Sequence, residues 1–403
     1  MDEDRSMIPL EEAWALVEEA LGGRAAVPET VPVRAAQGRL LAADQHARLE
    51  LPPFDKSAMD GYAILAGDVR TEYRLLETVA AGQTPSAELL PGTTVKVMTG
   101  APVPAGTGMV VMWEVTEEAG GTVRVLRHEG KCNIRLRGED VRVGDCVLSA
   151  GCVLDALDLA NLIACGISDV PVAPRLRLAV LSTGDEIADD PADLRPGKIM
   201  NTNGPMLAHL AVANGLTVVA ERTIPDDLEQ TVAALREALA AADVVVLSGG
   251  VSVGDFDYVL DAFCEVGLTV HFSRIAVKPG KPTVFATAGE KAVFGLPGNP
   301  VSVCLMFHLL VVRAARLLCG VPASLREFRL PLAGDFHRRN ADRLQFSPAR
   351  LTETGAVEPL AYHGSAHLLS LAAADGFFSV PAGVTDLPAG EPVTYLDLRE
   401  PYA

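Results

Sequence analysis

The residues that most directly suggest chemistry lie between positions 278 and 302. There Lys278-Pro279-Gly280-Lys281-Pro282 and Leu296-Pro297-Gly298-Asn299-Pro300-Val301-Ser302 punctuate one stretch of strand and helix signals. Prolines fix φ around a glycine that can take positive φ, so the first loop is preorganised and its two ammonium groups can converge on one ligand. The second turn follows the apolar run 292–296 and opens the apolar stretch 301–318, which would place its N–H groups at a helix N-terminus, where anions bind. Either turn alone reads equally well as a surface turn with solvated lysines.

Three acidic turns follow apolar runs in the same region: Ser182-Thr183-Gly184-Asp185-Glu186, Pro225-Asp226-Asp227, and Ser248-Gly249-Gly250-Val251-Ser252-Val253-Gly254-Asp255-Phe256-Asp257-Tyr258. Hard oxygen donors from several loops suit Mg²⁺, which takes one or two carboxylates and completes its octahedron with other oxygens, substrate phosphate included. Capping accounts for Asp226 and Asp227 as well, because both precede a helical pattern. Gly249 and Gly250 end a strand pattern and permit close backbone approach to a ligand. No G-x-x-x-x-G-K-[ST], H-E-x-x-H or G-x-S-x-G occurs, and the histidines show no metal spacing; His271 and His308 read as packing residues.

These turns need a scaffold, and the chain alternates strand and helix signals from 176 to about 320. Strands are expected at 178–181, 217–220, 244–247 and 292–296, with helices at 205–213, 226–241, 258–265 and 301–318. Such alternation implies a mainly parallel sheet covered by helices on both faces, with ligands at the C-terminal ends of its strands. Upstream, Leu10, Trp14, Val17 and Leu21 give an amphipathic helix stopped by Gly22-Gly23. Residues 50–150 read as short strands separated by Gly and Pro, 154–165 as a helix, and Pro171-Val172-Ala173-Pro174 as a linker. The segment 326–403 again reads as short strands, a small β-barrel or sandwich.

Composition narrows the function classes. With 403 residues, 34 Lys plus Arg against 52 Asp plus Glu, and a net charge of −18, the chain reads as a multidomain globular protein that repels nucleic acid and anionic membranes. The seven cysteines are odd in number, form no C-x-x-C pair and sit partly in apolar runs, as reduced core residues do. An acidic N-terminus and no apolar run near the roughly 20 residues that span a bilayer point to the cytoplasm.

Taken in order, PPFDKSAMDGYA (52–63), MTGAPVP (98–104), STGDE (182–186), SGGVSVGDFDY (248–258), KPGKP (278–282) and GLPGNPVS (295–302) resemble the molybdopterin molybdenumtransferase family, which includes the E domain of gephyrin. The resemblance spans nearly the whole chain. It implies a multidomain α/β plus β fold: a discontinuous linker domain (1–48 and 146–174), an inserted β-rich domain (49–145), a doubly wound α/β domain (175–325) and a C-terminal β-barrel (326–403). It further implies a cytoplasmic homodimer that inserts molybdenum from molybdate into adenylylated molybdopterin with release of AMP, using Mg²⁺ or another divalent metal. Transient contacts with the adenylylating enzyme and with apo molybdoenzymes would accompany that role.

By motif position, Asp60 and Thr99 would close over the pterin, plausibly from a partner subunit. Glu186, Asp226 and Asp257 would be the carboxylates, with Asp226 and Asp257 holding the metal. Lys278 would hold substrate phosphate; Lys281, Ser302 and Ser365 would line the molybdate site; Arg274, Pro282, Gly249 and Gly250 would also contact substrate. Three positions depart from the family pattern: Arg274 where a lysine is usual, Asn201 where an aspartate often precedes Thr202-Asn203, and Pro348 where an anion-binding arginine is usual, with Arg343 or Arg350 as substitutes. These departures motivate two alternatives, a non-catalytic molybdopterin-binding scaffold and a tungstate-using version of the enzyme. A third, an enzyme that adenylylates molybdopterin, shares the α/β domain but not the full-length match.

Overall fold

The computed structural model describes residues 7–23, 27–127, 130–251, 258–321, 323, 327–362 and 364–398. Its centre is a six-stranded sheet in the order Thr217–Ile224, Arg177–Thr183, Val244–Ser248, Lys291–Leu296, Val284–Ala288, Thr269–Phe272. The first four strands are parallel; Val284–Ala288 runs antiparallel to both its neighbours, so Thr269–Phe272 points the same way as the first four. Alternation along each strand feeds two cores. Leu178, Val180, Val244, Val246 and Phe294 face the helices Leu10–Leu21, Asn203–Ala213 and Pro300–Leu318. Ala179, Leu181, Val245, Leu247 and Val293 face Leu228–Ala241 and Val259–Val266. A strand buried on both faces must be apolar throughout, and Val244–Ser248 is fully buried.

The antiparallel edge departs from the expected pattern of parallel strands. Val284–Ala288 turns into Lys291–Leu296 through Gly289-Glu290, a two-residue hairpin that periodicity alone does not distinguish from a longer crossover. Pro300–Leu318 is a second correction. Its 19 residues have a mean hydropathy of 1.9, long and apolar enough to cross a membrane, yet 78% of that stretch is buried against the sheet, so it serves as the core helix. It widens to a π-helix over Phe307–Val312.

A second six-stranded sheet runs Thr107–Met112, Gly61–Leu65, Thr93–Val97, Glu72–Val79, Thr122–Val125, Thr116–Ala119, with Ala63, Val95, Val97 and Val110 in its core. The segment read as a linker is a strand instead: Asp169–Val172 pairs antiparallel with Glu29–Pro32. Val170 and Val172 alternate inward against Val33, Leu41, Leu154 and Leu162, and Pro171 points to the other side of the ribbon.

At the C-terminal end a sheet runs Val277–Lys278, Leu344–Leu351, Gly376–Val380, Pro392–Asp397, Glu327–Pro331. Its first pair is parallel, Lys278 opposite Gln345, so the lysine loop is tied to the C-terminal sheet as well as to the α/β sheet. All seven cysteines are free. Cys165 and Cys304 are buried, but Cys132, Cys146 and Cys264 are exposed, which corrects their reading as core residues.

Candidate functional site

Three parallel strands end together, and their C-terminal turns make the floor of the site. After Thr183 the chain turns at Gly184, where a Cβ would collide with the Glu186 carboxylate that folds back over it. Asp185 and Asp226 lock the first two turns to each other: the Asp185 N–H donates to Asp226 Oδ2 at 3.1 Å and the Asp226 N–H to Asp185 Oδ1 at 3.2 Å. Capping falls to the neighbour, Asp227, whose side chain accepts from the Gln230 N–H at 2.8 Å. Asp226 is thus left at the rim of the site.

The third turn supplies open backbone. Gly249 and Gly250 stand at φ +93° and +63°, and a Cβ on Gly249 would lie 2.6 Å from the Thr183 carbonyl oxygen. The Gly249 N–H donates to Leu296 O at 3.1 Å. Across from it, Asn203 Nδ2 donates to the Gly298 carbonyl at 2.7 Å and anchors the turn 297–300 that precedes the core helix. Asp257 lies outside the described residues.

Two cavities open over this floor. One, of about 400 Å³, is lined by Ser182, Glu186, Asn203, Gly249, Gly298 and Leu368, among others. The second, of about 300 Å³, is lined by Glu186, Asp226, Gly250, Pro282, Pro297 and Asn299. They share Thr183, Glu186, Gly249, Gly298 and Asn299 and so form a continuous two-lobed cleft.

The lysine loop borders the second lobe through Pro282. Thr283 Oγ1 donates to Gly280 O at 2.6 Å, and the Ile275 N–H donates to Lys281 O at 3.0 Å. Gly280, at φ +123°, packs so closely on Met306 that a Cβ would lie 2.7 Å from its Cε. Lys281 is exposed and Arg274 half-buried, its carbonyl held by the Ile8 N–H. Ser302 is buried in the first turn of the core helix, and the preceding Val301 N–H donates to Ser365 O at 3.1 Å, which joins the two serine segments. His363, next to that segment, lies outside the described residues.

Asp60 and Thr99 meet each other but not the cleft. Asp60 Oδ1 accepts from the Thr99 N–H at 2.6 Å and from Thr99 Oγ1 at 2.8 Å. The backbone bond, then the hydroxyl bond, hold the Asp60 carboxyl below its ordinary range. Among the described residues, those that line the cleft lie between Ser182 and Leu368, and none comes from the β-rich unit.

Two of the three departures, Asn201 and Pro348, have clear structural settings. Asn201 Oδ1 accepts from the Gly204 N–H at 3.0 Å, while Nδ2 donates to Asp189 Oδ1 at 2.9 Å and Thr223 Oγ1 at 3.0 Å. An aspartate there would set a second carboxylate against Asp189. Pro348 is buried in the ladder opposite Phe377. Arg350 is engaged by Glu358 at 2.5 Å on the exposed side, whereas Arg343 Nη1 donates to Val277 O at 3.2 Å, one residue from Lys278. Sequence reasoning missed Asn203, Gly298 and Asn299 as cleft residues, although the last two lay inside a quoted motif, and it missed Asp185 as the partner that braces Asp226.

Among the described residues no group of three or more metal-type ligands is assembled. Two carboxylates, Glu186 and Asp226, border the same lobe, a donor set that suits a hard divalent cation completing its shell with phosphate and water.

The chain matches three family models: the MoeA N-terminal region (domains I and II) over residues 8–166, a probable molybdopterin binding domain over 179–316, and the MoeA C-terminal region (domain IV) over 329–398. It is 34% identical over 403 residues to a molybdopterin molybdenumtransferase of Staphylococcus aureus, covering 97% of this chain and 96% of the relative. A second, from Staphylococcus epidermidis, is 34% identical over 364 residues, with 88% and 87% covered. Among solved structures, a molybdopterin biosynthesis moeA protein of Pyrococcus horikoshii superposes with a TM-score of 0.83 at 31% identity, covering 97% of this chain and 100% of that one.

Proposed function

The chain belongs to the molybdopterin molybdenumtransferase family, and from that premise we propose how its cleft carries out the family's reaction. The protein is a transferase in molybdenum cofactor biosynthesis. The observation that carries the assignment is that Glu186, Asp226, Gly249, Gly250 and Pro282 border one lobe of the same cleft. This brings carboxylates, open backbone and the lysine loop to one place.

Adenylylated molybdopterin lies along the cleft with its phosphates against Gly249, Gly250 and Gly298, where the lack of side chains lets backbone close on them. Lys278 and Lys281 neutralise the phosphate and the molybdate oxyanion, and Ser302, Ser365 and Arg274 complete the oxyanion side. Asp226, with Asp257 and Glu186, would hold Mg²⁺ or another divalent ion, which when bound supplies charge neutralisation at the phosphate. Arg343, beside Val277 and Lys278, takes the place left by Pro348. No protein nucleophile is required, because the substrate brings its own oxyanion.

The enzyme acts as a cytoplasmic homodimer, a second copy bringing Asp60 and Thr99 over the pterin. It meets the adenylylating enzyme and apo molybdoenzymes transiently. Tungstate, of the same charge and nearly the same size, competes for the oxyanion subsite. Pro348 supports a second reading, a molybdopterin-binding scaffold without turnover. AMP release from molybdopterin-AMP by the purified protein with Mg²⁺ decides between them. Release that depends on molybdate and reconstitutes an apo molybdoenzyme establishes the transferase, and tight binding without release establishes the scaffold.

A further inference from the structure

At the other end of the core helix lies a cavity that the reaction does not use. It sits where the connection 173–176 between Asp169–Val172 and Arg177–Thr183 meets the end of Pro300–Leu318, and it is lined by Arg39, Arg175 and Arg316 together with Leu176, Leu216 and Cys319. Its volume is about 50 Å³. With about one water per 10–15 Å³ on that measure, this accommodates three or four waters, or one tetrahedral oxyanion.

Three arginines lining so small a space are unusual in a chain of net charge −18 with 34 cations in 403 residues. Their positions are fixed by the fold. Arg39 has a side chain only 10% exposed; it pairs with Glu29 and donates through Nη2 to Ala173 O at 2.8 Å. Arg316 Nη2 donates to Gly151 O at 3.0 Å, and burial lowers its pKa, the sign of a cation held in a poorly solvated place. Arg175 is exposed at the mouth. The Cys319 thiol is pushed up to about 11 by burial and stays neutral, so it adds no negative charge. Glu29 offsets one of the three cations, and its carboxylate is half-exposed.

We propose that this cavity is a second oxyanion site, taking one tetrahedral dianion of phosphate size between Arg39, Arg175 and Arg316. Guanidinium forks match such an ion bidentately, and the surrounding Leu176 and Leu216 exclude competing water. The cleft is lined by Pro300 and this cavity by Val312, Ala315, Arg316 and Cys319, so the two stand toward opposite ends of the core helix. Its occupant cross-links the segment after the Asp169–Val172 strand to the end of the core helix, so it stabilises the folded chain by mass action.

The test is calorimetric titration of the full-length protein with inorganic phosphate, in parallel with sulfate and molybdate, and with thermal unfolding as a second readout. In a Lys278→Ala/Lys281→Ala background, which removes the cleft's two lysines and leaves Arg274 and Arg343, one phosphate-binding event that depends on Arg175 and an anion-dependent rise in Tm should remain. Arg175→Ala in that background should weaken it at least tenfold, and Arg316→Gln should abolish it. Arg175 is exposed, so its variant keeps the test open even if Arg316→Gln fails to fold. The proposal is overturned if phosphate binding vanishes with the two lysines, if no anion binds, or if Arg175→Ala leaves the affinity unchanged. Binding of molybdate but not phosphate or sulfate also overturns it, because the cavity offers charge and size rather than selection by element.

Discussion

Asp185 and Asp226 each accept a hydrogen bond from the other's backbone N–H, at 3.2 and 3.1 Å, across two strand ends that are 41 residues apart in sequence. The pair fixes the spacing of the two acidic turns before any ligand arrives. Of the two, Asp226 borders the cleft, and the bond leaves its Oδ1 for a ligand there.

Asp226→Asn separates these roles. The amide oxygen still accepts from the Asp185 N–H, so Tm should change by no more than about 2 °C, while molybdate-dependent AMP release falls by about a hundredfold through lost charge. Asp226→Ala should lose activity and a further ~1 kcal/mol of stability with the hydrogen bond. Unfolding curves beside initial rates distinguish the two variants; equal stability would refute the bracing role.

Gly249 and Gly298 face each other but differ in tolerance. A Cβ on Gly249 meets Thr183 O at 2.6 Å with φ at +93°, whereas on Gly298 the nearest atom is Gly249 Cα at 3.8 Å. Gly249→Ala should destabilise by about 2–4 kcal/mol through clash and strain. Gly298→Ala should fold normally and raise KM for the pterin substrate by narrowing the waist of the cleft. Denaturant midpoints and KM measured together check the contrast.

Arg343 and Arg350 are both close to Pro348 in sequence, but only Arg343 touches the Val277–Lys278 strand. Arg343→Ala should raise KM for molybdate by about tenfold, the loss of one charged contact. Arg350→Ala breaks only an exposed pair with Glu358 and should leave both rate and stability unchanged. Reversal of that ranking would remove Arg343 from the oxyanion subsite.

Asp60 and Thr99 lie outside the cleft of their own chain, which makes subunit mixing decisive. Asp60→Ala and Lys278→Ala, each inactive alone, should recover about a quarter of wild-type activity when co-refolded, since half of the dimers then hold one intact site. Recovery of nothing would mean that both residues act within one chain and would refute the shared site. The Thr99 bonds depress the Asp60 pKa, so this contribution is present at neutral pH and lost only as pH falls through the folded value, below 3.8. Thr99→Val should move the Asp60 midpoint, followed by carboxyl NMR, back upward.

His308 is buried in the π-helical segment and its pKa is lowered from 6.5 to about 4 by desolvation. The unfolded chain therefore takes up a proton that the folded chain refuses. Stability from this residue is full above pH 6.5 and declines as pH falls toward 4. His308→Leu should flatten that part of the stability profile between pH 7 and about 4.5, read by chemical denaturation.

Local spacing alone determined much of this protein. Leu10, Trp14, Val17 and Leu21 mark a helix whose ends fall at Leu10 and Leu21, because a glycine pair stops it and one apolar stripe needs burial. The acidic turns, Gly249-Gly250 and the lysine loop were legible because φ and close approach restrict which residues can stand there, and six ordered motifs carried the family. Tertiary structure decided the rest. The pairing of Asp169–Val172 with Glu29–Pro32, the antiparallel hairpin at the sheet edge and the division of labour between Asp226 and Asp227 all depend on partners distant in sequence. So do the amide required at Asn201 beside Asp189 and the choice of Arg343 over Arg350. Periodicity reports which face of a segment avoids water. Which segment covers that face, and which charge stands opposite which, is set only when the cores close.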